Sequence, residues 1–180
     1  MKRYAFLFLM CGVVLGTAFA GGTQEVEPEV AADGFKQISA KEVEVRWKVD
    51  GEQLMFELSA PTTGWVSIGF NPTRVMKDAD FVFGYVQGTE VVVTDQFGNG
   101  TFSHTRDTAM GGSDDIVEFD GSESGGRTSL SFTIPIDSGD QYDSVHSPGQ
   151  EHTVLIAYGP DGADNFSKKH IERAQVKLTL

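Results

Sequence analysis

Apolar and polar residues alternate with a period of two along most of this chain, and that pattern constrains the fold more than any other feature. The clearest run is 42–50, where Val43, Val45, Trp47 and Val49 would share one face and polar or charged residues the other. Such alternation is typical of a half-buried β-strand, whose successive side chains point to opposite faces. No stretch shows the sustained 3.6-residue period of an amphipathic helix. The chain is therefore predicted to be nearly all β.

The same pattern continues in short segments separated by turns rich in Gly, Asp and Asn. The predicted strands lie at 42–50, 54–58, 65–70, 81–86, 91–94, 101–106, 115–119, 130–134, 153–158 and 174–180. Short strands at such regular spacing are typical of a sandwich or a closed barrel. In a sandwich, the core would contain Trp47, Phe56, Ile68, Phe70, Phe132 and Ile156.

The first twenty residues have the features of an export signal. Lys2 and Arg3 precede the apolar segment 4–15, and Ala18-Phe19-Ala20 offers the small residues that a signal peptidase reads. We predict a signal peptide over 1–20 with cleavage after Ala20, which places the mature protein in the periplasm or outside the cell. A retained membrane anchor and a lipidated Cys11 are the alternatives. We find no other segment that could span a membrane.

The remaining chain divides into two parts. Residues 21–40 are acidic and poor in large apolar groups, so we interpret them as a flexible acidic linker. Residues 41–180 form the predicted β domain. Cleavage after Ala20 would remove two basic residues and no acidic one, changing the net charge from −12 to −14. This balance argues against nucleic-acid binding, because phosphate binding needs clustered Lys and Arg.

Few motifs carry chemistry by themselves. The nucleophile elbow, the phosphate loop, the dinucleotide fingerprint and the His-Glu-x-x-His motif are all absent, so we expect a chain that is not catalytic on its own. Asp and Asn residues in the Gly-rich segments 95–99 and 161–165 offer oxygen ligands of the kind Ca²⁺ prefers. Their spacing fits no EF-hand, and we interpret both segments as solvated turns.

Two residues in polar connections merit a closer look. Met76 lies in the polar connection 71–78 between two predicted strands, and His170 follows Ser167-Lys168-Lys169 just before the last strand. Alone, Met76 is an ordinary apolar filler under a loop and His170 a surface histidine. Together, a thioether and an imidazole from two loops would suffice as an axial pair for haem iron.

Three stretches carry a resemblance to a known family. The segment 54–70 contains Gly64-Trp65-Val66-Ser67-Ile68-Gly69-Phe70, and Met76 and the segment 79–84 follow it. With the later stretch 152–160, they resemble the DOMON domain over about residues 40–180. The resemblance implies an antiparallel, immunoglobulin-like β-sandwich that binds haem b or a sugar-like ligand. It assigns the iron ligands to Met76 and His170, and Trp65 is an aromatic that would line the pocket.

These observations give two main functional hypotheses. The first is an exported haem b domain that passes single electrons to or from a separate redox partner. The second is a carbohydrate- or small-ligand-binding module without haem, and a purely structural domain is a third reading. A tryptophan such as Trp65 is more often a core residue than a surface on which a ligand stacks. The charges that flank the two candidate ligands are interpreted either as solvated loop charges or as a rim for haem propionates, and they belong to Arg74, Lys77, Lys168 and Lys169.

Overall fold

The computed structural model describes residues 24–25 and 28–180. The signal peptide predicted at 1–20, its cleavage site and Cys11 lie outside these residues. The elements in chain order are β1 (Gln24–Glu25), β2 (Glu29–Val30), β3 (Lys36–Ala40), β4 (Val43–Asp50), β5 (Gln53–Ala60), β6 (Val66–Phe70), β7 (Asp80–Gln87), β8 (Glu90–Gly100), β9 (Ser103–Arg106), α1 (Asp107–Met110), β10 (Glu118–Ser124), β11 (Arg127–Pro135), β12 (Glu151–Tyr158) and β13 (Glu172–Thr179).

The strands form two sheets. The seven-stranded sheet has the order β1-β13-β12-β6-β7-β8-β9, and the six-stranded sheet has the order β10-β11-β5-β4-β3-β2. All pairs are antiparallel except that of β1 with β13. The predicted antiparallel β-sandwich is confirmed. None of the described helices is long and apolar enough to cross a membrane.

The main core lies between the two sheets. The Phe56 ring from the six-stranded sheet packs 5.3 Å from the Phe70 ring of the other sheet and 5.4 Å from that of Phe132. The six residues predicted for the core are all buried, namely Trp47, Phe56, Ile68, Phe70, Phe132 and Ile156. Alternating apolar side chains from both sheets therefore form the interior, as the period of two predicts.

The structure differs from the sequence expectations in several places, and three of them concern β3, α1 and β8. Strand β3 lies within the segment interpreted as a linker and pairs along its length with β4. A single helical turn, α1, follows β9. The segment 95–99 is part of β8, and Asp95 is buried opposite Val82. The interpretation of Asp95 as a solvated turn residue is therefore wrong, because β8 runs on through Gly98 to Gly100.

Candidate functional site

A second apolar cluster covers the outer face of the seven-stranded sheet, away from the main core. Because side chains alternate along β7, Phe81 and Phe83 point outward while Val82 points into the core. The buried members are Trp65, Ala79, Phe81, Phe83 and Ala163, and the half-buried members are Met76, Tyr85, Leu155, Ala157 and Phe166. We call this set the outer aromatic cluster. It gives the sheet a second apolar surface, which a simple sandwich does not need.

Small residues on β6 and β12 lie beneath part of this cluster. Gly69 lies opposite Phe81 on β6, and a Cβ atom at Gly69 would lie 2.2 Å from the Phe81 ring. Only glycine therefore lets that ring lie flat against the sheet. Ser67 and Ala157 occupy the neighbouring outward positions. The Phe81 ring thus lies over a position without a side chain, next to the small residues Ser67 and Ala157.

Met76 is held at the edge of the cluster by the hairpin that joins β8 and β9. Its backbone N–H donates to the carbonyl of Thr101 at 3.4 Å, and Asp78 N–H donates to the carbonyl of Gly98 at 2.7 Å. A Cβ atom at Gly98 would lie 1.7 Å from the Met76 carbonyl oxygen. Glycine at position 98 is thus what allows the loop 71–79 to approach β8 and place the Met76 side chain against the aromatic rings.

The loop that carries Met76 also stores backbone strain. Asn71, Val75 and Asp78 all have left-handed backbone angles, with φ of 53°, 57° and 62°. For a β-branched residue such as Val75 this conformation is a genuine outlier, and strain of this kind collects at ligand clamps and binding sites. Val75 is exposed, so burial of its own side chain does not compensate for the strain. The loop therefore holds Met76 in its position at the expense of local backbone strain.

Trp65 joins the cluster to the loop 159–171. Its ring is only 4% exposed and packs 5.6 Å from that of Phe83. Its indole Nε1–H donates to the carbonyl of Lys168 at 3.2 Å. From the same loop, the Phe166 ring packs 5.4 Å from that of Phe83. Trp65 thus serves as a buried wall of the cluster and anchors the segment that leads to His170.

His170 lies exposed at the end of that loop, next to the start of β13. Although the residue as a whole is exposed, the surrounding loop withdraws enough water from the ring to lower its pKa, and the charges of Arg173 and Lys169 act in the same direction. The lowered pKa favours the neutral imidazole, which is the form that binds a metal, although the charge of Glu172 acts in the opposite direction. The structure brings Met76 and Trp65 into one cluster and places His170 two residues beyond the anchored Lys168.

A second imidazole, which the sequence analysis did not single out, borders the cluster. His104 on β9 stacks on Phe83 with ring centroids 4.4 Å apart and planes 15° apart. Its Nδ1 lies 2.5 Å from Gln96 Oε1, and burial lowers the pKa of the ring. The sequence signal was strand alternation. His104 lies two residues before Arg106 on β9, so both side chains point to the same face, which is the outward face of the sheet.

A polar groove crosses the outer face of the six-stranded sheet. Its volume is about 400 Å³. The lining residues are Glu44, Arg46, Glu57, Leu58, Ser59, Asp120, Gly121, Ser122, Ser129, Leu130 and Ser131, with no aromatic side chain among them. Small-molecule and cofactor sites are lined predominantly by apolar and aromatic side chains. Of these two surfaces, the outer aromatic cluster is therefore the better candidate binding site.

Comparison with protein families and curated sequences gave consistent matches. The family model of the DOMON domain matches residues 39–159. DBH-like monooxygenase protein 1 of Homo sapiens is 26% identical over 164 residues, which cover 91% of this chain and 25% of that protein. DBH-like monooxygenase protein 2 of Mus musculus is 30% identical over 143 residues, which cover 73% of this chain and 21% of that protein. The chain thus spans a quarter or less of these relatives.

Solved structures share the fold at low sequence identity. The cytochrome domain of Myriococcum thermophilum cellobiose dehydrogenase superposes with a TM-score of 0.58 and 11% identity, covering 86% of this chain and 88% of that chain. The cytochrome b domain of pyranose dehydrogenase from Coprinopsis cinerea gives a TM-score of 0.61 and 9% identity, covering 84% and 86%. At such identities the likeness is one of architecture alone.

Proposed function

This chain belongs to the DOMON domain family, and from that premise we propose that it binds haem b on the outer aromatic cluster and carries single electrons to or from a redox partner protein. The single observation that carries the proposal is the position of Met76, a thioether held by a strained loop against a cluster of aromatic rings. Two cytochrome domains share the architecture of the chain. In this proposal the protein is an electron carrier and performs no bond chemistry of its own.

The residues present suit a haem in their chemistry. Met76 offers a soft sulfur ligand and His170 a neutral imidazole, both from loops that border the outer aromatic cluster. Trp65 and Phe83 provide apolar walls that exclude water. Lys168 and Lys169, beside His170, carry charges suited to propionates. When bound, haem b would supply a one-electron couple, and ligation by Met76 and His170 would favour a higher potential than ligation by two imidazoles.

The chain's own residues would decide the kind of chemistry. If Met76 and His170 both held the iron, no position would remain for oxygen or peroxide, and the site would serve electron transfer. The proposal also retains export, with a signal peptide at 1–20, because a haem carrier of this kind would meet its partner outside the cytoplasm. N-terminal sequencing of the natively produced protein tests this part. A mature chain that starts at Gly21 supports export, and an intact Met1 contradicts it.

The haem site is tested by the absorption spectrum of haem-reconstituted protein after reduction with dithionite. We expect sharp low-spin bands in the wild type. His170→Ala should lose the haem or hold it weakly in a high-spin form, whereas Met76→His should keep the haem and lower its potential. His104→Ala is the matched control, because it removes an imidazole from the same cluster. Loss of the bands in His104→Ala alone would overturn the assignment, and no haem uptake by the wild type would end it.

A second candidate is binding of a carbohydrate or other small ligand without haem on the same cluster. The exposure of His170 favours it, because a site without haem does not need this imidazole. In this case binding should survive Met76→Ala and disappear in Trp65→Ala, provided that the circular dichroism spectrum shows a folded protein. Calorimetry with a panel of oligosaccharides checks it. Absence of heat with every member of the panel would count against this candidate.

A further inference from the structure

The interior of the sandwich contains a group of carboxylates on the opposite face of the strands that carry the outer aromatic cluster. Asp80 begins β7 and Asp95 lies in β8, and both point inward because their strand partners Phe70 and Val82 belong to the main core. Asp143 reaches the same place from the loop 136–150. With Asp107 of α1, we call these four residues the inner acidic cluster. It is independent of the function proposed above.

The geometry of the cluster matches the coordination of one cation. Carboxylate oxygens of Asp80, Asp95 and Asp143 all lie within 4.8 Å of one another. Oxygen ligands sit about 2.4 Å from Ca²⁺, so two ligands on opposite sides of the ion are about 4.8 Å apart. The carboxylates line a cavity of about 10 Å³, which is room for about one water molecule or one ion.

Asp107 supplies an independent indication of a missing ligand. It is 1% exposed, and neither of its carboxylate oxygens has a hydrogen-bond partner. Asp107 begins α1 directly after β9, and the nearby charges of Asp143 and Asp80 act on its carboxylate. A fully buried and unpartnered carboxylate is costly unless a cation or proton neutralises it.

The protein itself offers little positive charge here. None of the ion pairs found among the described residues joins Asp95, Asp107 or Asp143 to a Lys or Arg. Burial, together with mutual repulsion among these carboxylates, raises the pKa of Asp95 to about 8, that of Asp143 to about 8 and that of Asp107 to about 7. Without a cation the folded protein must keep protons on groups that are ordinarily ionised at neutral pH.

We propose that the inner acidic cluster binds one Ca²⁺ ion through Asp80, Asp95 and Asp143, with Asp107 beside them as a further oxygen donor. The ligands come from β7, β8 and the loop 136–150, so the ion fastens that loop to the seven-stranded sheet. Ca²⁺ accepts six to eight oxygen ligands in irregular arrangements, as carboxylates from three separate segments provide. Mg²⁺ demands a tighter octahedron, and Zn²⁺ prefers nitrogen and sulfur ligands.

Neighbouring groups hold the proposed ligands in position. His146 Nε2 lies 3.3 Å from Asp80 Oδ2, and the backbone N–H of Ser144 donates to the same oxygen at 3.0 Å. The hydroxyl of Ser138 donates to Asp143 Oδ2 at 2.5 Å. The remaining oxygen of Asp143, Oδ1, is buried and has no hydrogen-bond partner. These bonds orient the carboxylates and leave oxygen atoms available to an ion.

The proposal is tested with the full chain after removal of divalent ions by a chelator. Ca²⁺ is added in a calorimetric titration and in a thermal melt at pH 8. We expect one bound Ca²⁺ per chain and, at a free concentration of about 100 times Kd, a Tm increase of roughly 5–10 °C. Equal concentrations of Mg²⁺ should give a much smaller increase. No heat and no change in Tm with Ca²⁺ would overturn the proposal, as would a stronger response to Zn²⁺.

Two variants locate the site. Asp95→Asn removes one ligand charge and should weaken Ca²⁺ binding by roughly 100-fold. Asp50→Asn makes the same chemical change at an exposed turn of the six-stranded sheet and should leave binding unchanged. Asn at position 95 relieves buried like-charge repulsion, so this variant is expected to fold. Unaltered Ca²⁺ binding by Asp95→Asn, or equal loss in both variants, would place the ion elsewhere and overturn the proposal.

Discussion

The two faces of the seven-stranded sheet present opposite chemistries at the same strands. On the outer face, Phe81 and Phe83 of β7 belong to an apolar cluster that is held by a strained loop. On the inner face, Asp80 of the same strand joins Asp95 in a buried group of carboxylates. The outer face combines soft and aromatic groups, and the inner face hard oxygen donors. One strand can therefore serve two sites whose ligands have nothing in common.

The comparison also shows which kind of burial signals a ligand. The rings of the outer aromatic cluster satisfy one another, so the cluster is stable whether or not a ligand is bound. The inner carboxylates repel one another and carry buried oxygens without hydrogen-bond partners, so they are satisfied only by a proton or a cation. The inner site thus depends on its occupant for stability, and the outer site does not.

Among substitutions, the largest effect should come from truncating the core that lies between the two regions. Phe56→Ala should lower the free energy of unfolding by about 4 kcal/mol, because it leaves a cavity among packed rings of both sheets. Phe83→Ala on the outer face should cost about 2 kcal/mol, because the loop 159–171 and His104 can settle onto the gap. Urea unfolding of both variants measures this, and equal losses would show that the outer face is ordinary core.

The next prediction concerns pH and acts on the inner face alone. The folded-state pKa values of Asp95 and Asp107 are about 8 and 7, above the ordinary 3.8. Between pH 3.8 and these values, the folded state keeps protons on Asp95 and Asp107 that the unfolded state has lost, so the stability that these two groups contribute falls as pH rises. Without divalent ions, these two groups should lower the free energy of unfolding by about 6 kcal/mol from pH 5 to pH 8 if they titrate independently. Saturating Ca²⁺ should remove most of this drop, whereas stability that rises with pH would contradict the prediction.

A third change should disturb the outer aromatic cluster and leave the inner acidic cluster intact, although both clusters contact β8. Gly98→Ala places a methyl group where the Met76 carbonyl lies, and the loop 71–79 must move. The loss of stability should be about 2 kcal/mol, measured by urea unfolding. Haem affinity should fall sharply, and Ca²⁺ binding, which relies on Asp95, serves as the internal control. A parallel loss of Ca²⁺ binding would mean that the two faces are not separable.

The smallest effect comes from relieving the strain in the Met76 loop. Val75→Gly suits the left-handed backbone at that position and should raise the free energy of unfolding by about 1 kcal/mol or less. A gain in stability accompanied by weaker haem binding would show that the strain serves to place Met76. Differential scanning calorimetry with and without haem makes the comparison. A loss of stability would show that the exposed Val75 side chain contributes packing that the structure does not reveal.

The sequence predicted the sheets well and the inner acidic cluster not at all. Alternation identifies each strand locally, so Trp47, Phe56 and Ile156 could be assigned to the core without knowledge of the topology. The boundaries of β3 and β8 were missed because polar residues and glycines there are also typical of linkers and turns. Asp95 and Asp143 meet only when two distant segments pack together, and their spacing of 48 positions carries no local signal.

The candidate haem ligands stand between these extremes. The family resemblance, rather than the local pattern, singled out Met76 and His170, and both stay predictions. What the sequence did not show is the means of holding Met76, since Gly98 and Thr101 approach its loop only through the β8–β9 hairpin. His104 was missed for a similar reason, because its stacking partner Phe83 lies on another strand.

The strict alternation of β7 makes this strand unusually intolerant of insertions and deletions. A change of one residue in length between Asp80 and Val86 would turn every following side chain to the opposite face. Phe81 and Phe83 would then enter the interior, and Val82 would emerge, so both sites would be lost in a single step. The exposed edge strand β10 has no such constraint. Among related domains, insertions and deletions should therefore occur at β10 and its turns, whereas β7 should vary only by substitution.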